Sequence, residues 1–349
     1  MAPNNERKSK APAVPELVSE AVPVARCNDA SMVIWARFLA EFQRIQCRLP
    51  RPLDRFNDFG KALLQQRVLS LIDRQQPITL VLPALPCKSP NRIDKVLGAM
   101  PDRAEELALE RLEHFCAAIA GAYAPGCDVV IFSDGLVFND LLGVSRDEVM
   151  AYQAELQSMA RYKHIRFDGL DQHTSDDPAS GNVNDQLLKR FKLAAVDMDK
   201  LIASDEGHLR TYRSFIKFLQ RDLAPQRNKN SSKDAPVSKR SISKQCGVIA
   251  KTMIQRNMAF SLLVDAVYPN AVRVSIHAYN NAGPKFGVHL IPSKAESKPK
   301  TPWHCCICED RDGTIHKTEL SDVDHQRYVM SYKRGRAWGF TERQPVSSL

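Results

Sequence analysis

The segment 272–290 combines an apolar strand pattern with side chains that could do chemistry. Apolar and polar residues alternate from Val272 to His277, and this period of two predicts a β-strand. A polar loop follows, and a second strand begins near Phe286. The polar groups of the segment are Arg273, Ser275, His277, Asn280 and Lys285. Cationic, imidazole and amide groups at a strand end are typical of sites for small anionic or carbonyl substrates; an exposed polar strand face is the alternative.

A second group of candidates follows the apolar strand 78–83. Lys88 lies between two prolines in the loop 86–91, and Ser89 and Asn91 lie beside it. A lysine in such a loop could neutralise a phosphate. If it is desolvated, it could instead act as an acid, a base or an imine former. A solvated loop lysine is the alternative interpretation.

Two carboxylates follow the next apolar strand, 128–132. Asp134 comes directly after that strand, and Asp140 lies six residues further on. Gly135 would let the backbone turn sharply out of the strand. Asp134 could therefore accept a proton or hold a substrate amine, with a carboxylate that only caps the local turn as the alternative.

His304, Cys305 and Cys308 could suggest a zinc site, but a second ligand pair with suitable spacing is missing. The segment also alternates as a strand, which would place Cys305 and Cys308 on opposite faces. We therefore expect apolar core cysteines and no bound metal.

Several protein classes are disfavoured by the sequence. It lacks the G-x-S-x-G, G-x-x-x-x-G-K-[ST] and G-x-G-x-x-G motifs of serine hydrolases, P-loop NTPases and typical dinucleotide oxidoreductases. No apolar run reaches the ~18 residues of a membrane span, and the N-terminus lacks the apolar region of a secretory signal. The nine cysteines are an odd number and mostly scattered. A cytoplasmic protein is therefore expected.

Strand and helix patterns alternate through the first half of the chain, which predicts an α/β fold with a mainly parallel sheet flanked by helices. Polar residues cluster directly after the strands, at Lys88, Ser89, Asp134 and Asp168. In open α/β sheets ligands bind at the carboxyl ends of the strands, so one shared cleft is expected. The final third is rich in strands, which either extend the sheet or form a small lobe.

We expect the chain to divide into a disordered tail (1–28), a single α/β domain (29–338) and a C-terminal tail (339–349), with a basic flexible loop at 224–241 inside the domain. The formal net charge is +9, and part of it lies in the segment 227–256. Nucleic-acid binding, a substrate with phosphate and carboxylate groups, and a solvated basic surface are the three interpretations. No DNA- or RNA-binding signature accompanies the cluster, so nucleic acid is not favoured.

Together, several of these segments resemble the pyoverdine/dityrosine biosynthesis family, the isonitrile (isocyanide) synthases. The resemblance spans about 29–338 and rests on the joint order of the segments 85–91, 102–109, 123–126, 133–140, 143–144, 275–277 and 301–304. It implies a Rossmann-like fold and conversion of the amine of an L-amino acid, tyrosine most commonly, to an isonitrile. Ribulose 5-phosphate would supply the carbon as co-substrate in a reaction of the carbon–carbon lyase or condensing type, without a cofactor.

The resemblance leaves the exact activity and the partners open. A fungal branch of the family makes N-formyltyrosine for spore-wall dityrosine, and a non-catalytic basic binding protein is a further alternative. Iron-dependent oxygenases or other tailoring enzymes often act downstream of the family's enzymes, so they are possible partners. The loop 278–283 also departs from the family, because it lacks the proline expected after Ser-Ile-His.

The implied chemistry assigns roles to the candidate residues. The amine must lose a proton and attack the ketone, and cations must hold phosphate and carboxylate. Asp134 would hold or deprotonate the amine, and His277 would shuttle protons with help from His304. The catalytic candidates are Lys88, Asp134, His277 and His304. The substrate-binding candidates are Ser89, Asn91, Asp140, Arg273, Ser275, Asn280 and Lys285, where Lys88, Arg273 and Lys285 would bind phosphate or carbonyl groups and Asp140 could instead brace its loop.

Overall fold

A computed structural model describes residues 29–50, 52–159, 162–175, 177–223, 239–277, 280–291 and 300–344. The expected N-terminal tail, residues 224–238 of the basic loop and the last five residues lie outside the described residues.

The central element is a five-stranded parallel sheet with the order β3-β2-β1-β4-β5. Its strands are Ile78–Pro83 (β1), Cys127–Ser133 (β2), Ile165–Gly169 (β3), Val272–Ser275 (β4) and Lys285–Gly287 (β5). The chain builds outward from β1 to β3 and then returns to place β4 on the other side of β1. The order therefore reverses beside β1, as in doubly wound folds. The predicted Rossmann-like α/β class is confirmed.

Nine α-helices belong to the described part of the chain; the first two precede β1, and the other seven lie in the connections between β1 and β4. They are Asp29–Ile45 (α1), Lys61–Asp73 (α2), Arg103–Ala120 (α3), Gly135–Leu142 (α4), Arg146–Met159 (α5), Val183–Arg190 (α6), Met198–Ser204 (α7), Glu206–Asp222 (α8) and Lys239–Val267 (α9). A π-helical turn, Phe56–Gly60, precedes α2, and short 3₁₀ turns lie at Leu170–His173, Pro178–Ser180, Pro302–His304 and Leu320–Asp322. None of the described helices is long and apolar enough to cross a membrane.

Two helix starts follow directly from local sequence. The Asp102 side chain accepts a hydrogen bond from the Ala104 N–H, and the Glu105 carboxylate accepts one from the Asp102 N–H, which forms a capping box at α3. The Ser145 hydroxyl oxygen accepts a hydrogen bond from the Glu148 N–H at 3.1 Å, at the start of α5. Both patterns, an Asp or Ser followed three residues later by Glu, are typical of helix N-termini, and both form the expected caps here.

The C-terminal strands form a separate four-stranded sheet with the order β7-β6-β9-β8. Its strands are Cys306–Glu309 (β6), Ile315–Thr318 (β7), Tyr328–Lys333 (β8) and Arg336–Glu342 (β9). Cys306 and Cys308 pack with Phe340 on one face, whereas Cys305 and Ile307 pack toward α3 on the other. Cys305 and Cys308 therefore lie in different core clusters, as the strand alternation predicts.

Two predicted boundaries need correction. The strand β9 continues to Glu342, so the C-terminal tail does not begin at residue 339. The helix α9 begins at Lys239, so the basic loop ends before residue 241. In both cases the added residues are held by backbone hydrogen bonds of a regular element, which local composition did not reveal.

Candidate functional site

The carboxylate of Asp134 lies at the carboxyl end of the central strand β2, where α4 begins. One of its oxygens, Oδ1, is buried and has no hydrogen-bond partner among the described residues. The side chain also makes no capping hydrogen bond to α4, so the alternative of a simple turn cap is not supported. Burial raises the pKa of Asp134 to about 6. A buried polar atom without a protein partner calls for an explanation, and a bound water or a catalytic role are two of them.

The backbone around Asp134 is packed closely against the loop that follows β1. A Cβ atom added at Gly135 would lie 2.4 Å from the carbonyl oxygen of Pro86 and 2.7 Å from Cγ1 of Val149. The Gln153 amide also donates hydrogen bonds to the carbonyls of Leu85 and Pro86. Gly135 is thus required for close approach of two loops, rather than for the sharp turn that the sequence suggested.

Lys88 lies in that same loop but is completely buried. Its Nζ lies 2.8 Å from Asp102 Oδ2 and 2.8 Å from Glu105 Oε2, and it donates a hydrogen bond to the Pro302 carbonyl at 3.2 Å. Burial alone would lower the pKa of Lys88, but the two carboxylates outweigh burial and hold that pKa above its ordinary range. In this structure the ammonium is engaged by protein groups, and it links α3 to the turn at Pro302.

Lys88, Asp102 and Glu105 form a buried ion cluster, and burial changes the pKa of Asp102 as well. Desolvation raises the pKa of the Asp102 carboxyl to about 7, although Lys88 opposes the rise. The cluster holds two acids and one base in a site without solvent contact. Its charge is therefore balanced only when one acid carries a proton.

Ser89 and Asn91 continue the loop and are also buried. The Ser89 hydroxyl donates a hydrogen bond to Asp222 Oδ2 at 3.0 Å. The Asn91 amide donates to Asp94 and to the backbone carbonyl of Arg221. Both side chains therefore attach the loop to the C-terminal end of α8.

Asp222 is the centre of this polar network and was not among the residues singled out by the sequence. Its side chain is completely buried and pairs with Lys95 Nζ and His304 Nε2, the latter at 3.3 Å. Burial would raise the pKa of Asp222, but His304 and Lys95 outweigh it and hold the pKa below its ordinary range. A signal did exist, because an acidic residue in the last turn of a helix opposes the helix dipole.

His304 lies in the 3₁₀ turn before β6, between Asp222 and Thr301. Its Nδ1 lies 2.8 Å from Thr301 Oγ1, and its ring packs edge-on against Phe218 of α8 with 5.2 Å between centroids. Both ring nitrogens are therefore engaged, and the ring plane is fixed by packing.

His277 follows β4 and is exposed to solvent. The surrounding protein nevertheless desolvates its imidazole enough to lower its pKa, and the charge of His304 lowers that pKa further. His277 therefore lies within electrostatic range of His304. Their joint role in one site stays a prediction.

Arg273 and Lys285 are neighbours on β4 and β5 and both face α9. Arg273 is buried, ion-pairs with Asp265 and donates to the Ser261 carbonyl at 3.2 Å. Lys285 donates to Ser261 Oγ at 2.8 Å. Burial and the nearby Arg273 lower the pKa of Lys285. These two cations thus form a group on the α9 side of the sheet, separate from the Asp222 network.

Asp140 and Asn280 both make hydrogen bonds that connect separate segments or stabilise a loop. Asp140 accepts hydrogen bonds from both terminal nitrogens of Arg256, at 2.6 and 2.9 Å, which joins α4 to α9. The backbone carbonyl of Asn280 accepts a hydrogen bond from the Arg55 N–H, and its side chain accepts one from the Ala282 N–H. Ser275, at the end of β4, accepts a hydrogen bond from the His277 N–H at 3.2 Å.

Asn281, the neighbour of Asn280, is the residue that orders the loop, and the sequence gave no reason to choose it. It is completely buried. Its amide donates to the Cys47 carbonyl and to Asp54, and its side-chain oxygen accepts a hydrogen bond from the Gly287 N–H at 2.7 Å. The loop is thereby attached both to the chain after α1 and to β5.

The thiol of Cys87 shows how the carboxylates are arranged around the loop after β1. Its pKa is raised to about 12, chiefly by burial, then by the charge of Asp134, with smaller effects from groups that include Asp222. Contacts agree with this: Gly135, next to Asp134, packs against the Pro86 carbonyl, and Ser89 donates a hydrogen bond to Asp222, so both carboxylates lie near this loop. Together with His277 and His304, they form the candidate active site.

Part of the basic segment 227–256 can be placed. Two cations in its described part form ion pairs: Arg256 with Asp140, and Lys251 with Asp199. Residues 227–238 of the segment lie outside the described residues. The contacts of Arg256 and Lys251 support a role in packing.

Comparison with known proteins gives matches over most of the chain. Residues 68–331 match the family described as pyoverdine/dityrosine biosynthesis protein. The isocyanide synthase xanB of Aspergillus fumigatus is 37% identical over 297 residues, which cover 80% of this chain and 38% of the relative. An L-tyrosine isonitrile synthase of Pseudomonas aeruginosa is 34% identical over 267 residues, covering 74% of this chain and 78% of the relative.

Among solved structures, the crystal structure of the PvcA protein from Pseudomonas aeruginosa aligns with a TM-score of 0.77 and 28% identity, covering 89% of this chain and 100% of that chain. The match to xanB, by contrast, covers only 38% of that relative's length.

Proposed function

Because the chain belongs to the pyoverdine/dityrosine biosynthesis family, we propose that it is an isonitrile synthase that converts the amine of an L-amino acid to an isonitrile. Relatives named as isocyanide or isonitrile synthases support this activity. We propose tyrosine as the favoured amino acid, since two relatives are named for it, with tryptophan, for which two others are named, as the alternative. Ribulose 5-phosphate is the proposed carbon donor. No cofactor is required in this proposal, and a tailoring enzyme such as an oxygenase would use the product.

The observation that carries the proposal is the carboxylate of Asp134. It lies at the carboxyl end of a central strand, it has a buried oxygen that no described residue contacts by a hydrogen bond, and its pKa is raised to about 6. A carboxylate with these properties can accept a proton from a substrate ammonium group near neutral pH. Removal of that proton would produce the amine nucleophile for attack on the ketone.

The two histidines would serve the later proton transfers. The surrounding protein and His304 lower the pKa of His277, which favours the neutral imidazole that can accept a proton as the imine forms and rearranges. Lys285, whose pKa is also lowered, is the proposed cation for the phosphate or the carbonyl oxygen. Ser275 would position His277 through the hydrogen bond to its N–H.

For the remaining candidates we propose supporting roles. Lys88 and Arg273 are both buried against carboxylates, and an ion engaged in this way is expensive to redirect toward a substrate. We therefore propose that they hold the cleft in shape. Ser89, Asn91, Asp140 and Asn280 make the protein contacts described above, and their proposed role is likewise to position the loops around the substrate.

The test is turnover by the purified protein. Incubation with ribulose 5-phosphate carrying ¹³C at its ketone carbon and a mixture of amino acids should give a product that carries one labelled carbon on nitrogen. Mass spectrometry identifies which amino acid was used. An Asp134→Asn variant should form no product at matched concentration, and a wild-type protein that makes neither isonitrile nor formamide would contradict the proposal.

A second candidate is an enzyme that makes N-formyltyrosine for a dityrosine-containing spore wall. The family's description, which includes dityrosine biosynthesis, favours this alternative. The same incubation separates the two, because a formamide contains one water more than the corresponding isonitrile. Rapid quenching and a hydrolysis control with authentic isonitrile would show whether any formamide is an enzymatic product.

A further inference from the structure

Asp222 occupies a position that is unfavourable for a negative charge. It is completely buried, and it lies in the last turn of α8, where the helix dipole disfavours negative charge. Lys95 already supplies one positive partner, and its ammonium is held over the Phe218 ring, 5.6 Å from the centroid. Charge balance therefore does not require a second partner, yet Asp222 also contacts His304.

The contacts of His304 define one arrangement of its ring protons. Asp222 can only accept a hydrogen bond, so the nitrogen that faces it, Nε2, carries the proton. Nδ1 then has a free lone pair, and it faces the Thr301 hydroxyl at 2.8 Å, which can donate to it. A carboxylate that holds one imidazole nitrogen in this way fixes the tautomer and steadies the imidazolium formed when the other nitrogen accepts a proton.

We propose that Asp222 is a positioning residue of the active site, which holds His304 in the Nε2-protonated form so that Nδ1 can accept a proton through the Thr301 hydroxyl, which gives its own proton to Nδ1 as its oxygen takes one from the substrate. This inference rests on the proposed function for its catalytic meaning. A proton taken up at Nδ1 converts the imidazole to an imidazolium, and Asp222 balances the new charge without accepting the proton itself. His304 and His277 then share the cleft with different duties, one held by a carboxylate and the other exposed at the end of β4.

The first test is spectroscopic and does not depend on turnover. Long-range ¹H–¹⁵N spectra of protein labelled at histidine nitrogens distinguish the two neutral tautomers. The His304 signals are identified by their absence from a His304→Asn variant. At a pH above the ordinary imidazole range, we expect the Nε2-protonated pattern in the wild type, and a mixture or the Nδ1-protonated pattern in Asp222→Asn. A wild-type His304 protonated at Nδ1 overturns the inference, whatever the variants do.

The second test is kinetic. Asp222→Asn should lower kcat by at least ~100-fold, the range of a lost proton-transfer step, with KM changed only a few-fold. The double variant Asp222→Asn/His304→Asn should be no slower than His304→Asn alone, because Asp222 acts through His304. Additive losses, or an Asp222→Asn enzyme with normal kcat, contradict the positioning role.

The chain offers a matched control in Glu113, which contacts His164 Nδ1 at 2.7 Å. His164 directly precedes β3, at the amino edge of the sheet and away from the cleft. Glu113→Gln makes the same change, from carboxylate to amide, beside a histidine, and should leave turnover unchanged. If the wild type proves inactive on every amino acid while the His304 tautomer depends on Asp222, the proposed function fails but the structural assignment holds.

Discussion

At the scale of single residues, Asp134 gives the clearest pH prediction. Its carboxyl must be ionised to accept a proton, and burial raises its pKa to about 6. We therefore expect kcat/KM of the wild type to fall as the pH drops through about 6, while Asp134→Asn loses at least ~100-fold in kcat at neutral pH. An Asp134→Asn enzyme with near-wild-type activity would remove the residue from the mechanism.

The same residue makes a prediction about stability. A carboxyl with a raised pKa binds its proton more tightly in the folded state, so its ionisation destabilises the fold as the pH rises from about 4 to about 6. The shift corresponds to at most about 3 kcal/mol, and partial exposure reduces this to about 1–2 kcal/mol. Asp134→Asn should therefore be more stable than the wild type at pH 7 and nearly equal at pH 4 in urea unfolding. Equal stability at both pH values would contradict this account.

Lys88 tests whether a buried cation supports the structure or contacts the substrate. Lys88→Met leaves Asp102 and Glu105 without their cation in a site closed to water. We expect a loss of about 3–5 kcal/mol in the free energy of unfolding, measured in urea at pH 7. Adding Glu105→Gln removes one uncompensated acid and should recover part of that loss.

The informative contrary result is a Lys88→Met protein of normal stability with no activity. That combination would show that the ammonium contacts substrate and that the ion cluster contributes little to the fold. Sequence alone could not separate these cases, because the partners of Lys88 lie in a helix that begins 15 residues later (Arg103) and in a turn near Pro302.

At the scale of elements, patterns that depend on neighbours along the chain were predictable, and patterns that depend on distant partners were not. The caps at Asp102 and Ser145 follow from residues three positions apart, and apolar runs identified β1 to β3. The strands β8 and β9 were missed because neither has a regular alternation of buried and exposed residues. Asp222 was missed because its partners, Ser89, Lys95 and His304, are all distant from it along the chain.

The start of α4 provides a prediction at this scale. Gly135→Ala places a methyl group against the Pro86 carbonyl and Val149, and backbone cannot move aside as a flexible side chain can. We expect a loss of about 1–3 kcal/mol in stability, together with a displacement of Asp134 that lowers kcat. Urea unfolding and steady-state kinetics measure both effects.

Gly98→Ala is the matched control, since a Cβ atom there meets nothing within 4 Å. It should change neither stability nor kcat. If Gly135→Ala behaves like this control, the two loops are not held in contact in solution, and the placement of Asp134 by that contact is incorrect.

At the scale of the whole molecule, the two sheets are joined through α3. Leu109 of this helix belongs to the main core, whereas Ala104 packs with Cys305 and Ile307 of the C-terminal sheet. Lys88 adds a second link, because it connects the loop after β1 to α3 and to the turn before β6. A shared helix and a shared ion cluster make it costly for one sheet to unfold without the other. We therefore expect the described part of the chain to unfold cooperatively.

Cysteine reactivity can test this cooperativity. All eight described cysteines are buried, and burial raises thiol pKa values, that of Cys308 to about 11. Cys27→Ser removes the one cysteine outside the described residues, and this variant should show no rapidly reacting thiol with a disulfide reagent at pH 8. As urea increases, Cys308 in the C-terminal sheet and Cys127 in β2 should become reactive at the same concentration, as located by mass spectrometry. Earlier labelling of Cys308 would show instead that the C-terminal sheet opens separately, and that its links through α3 are weak.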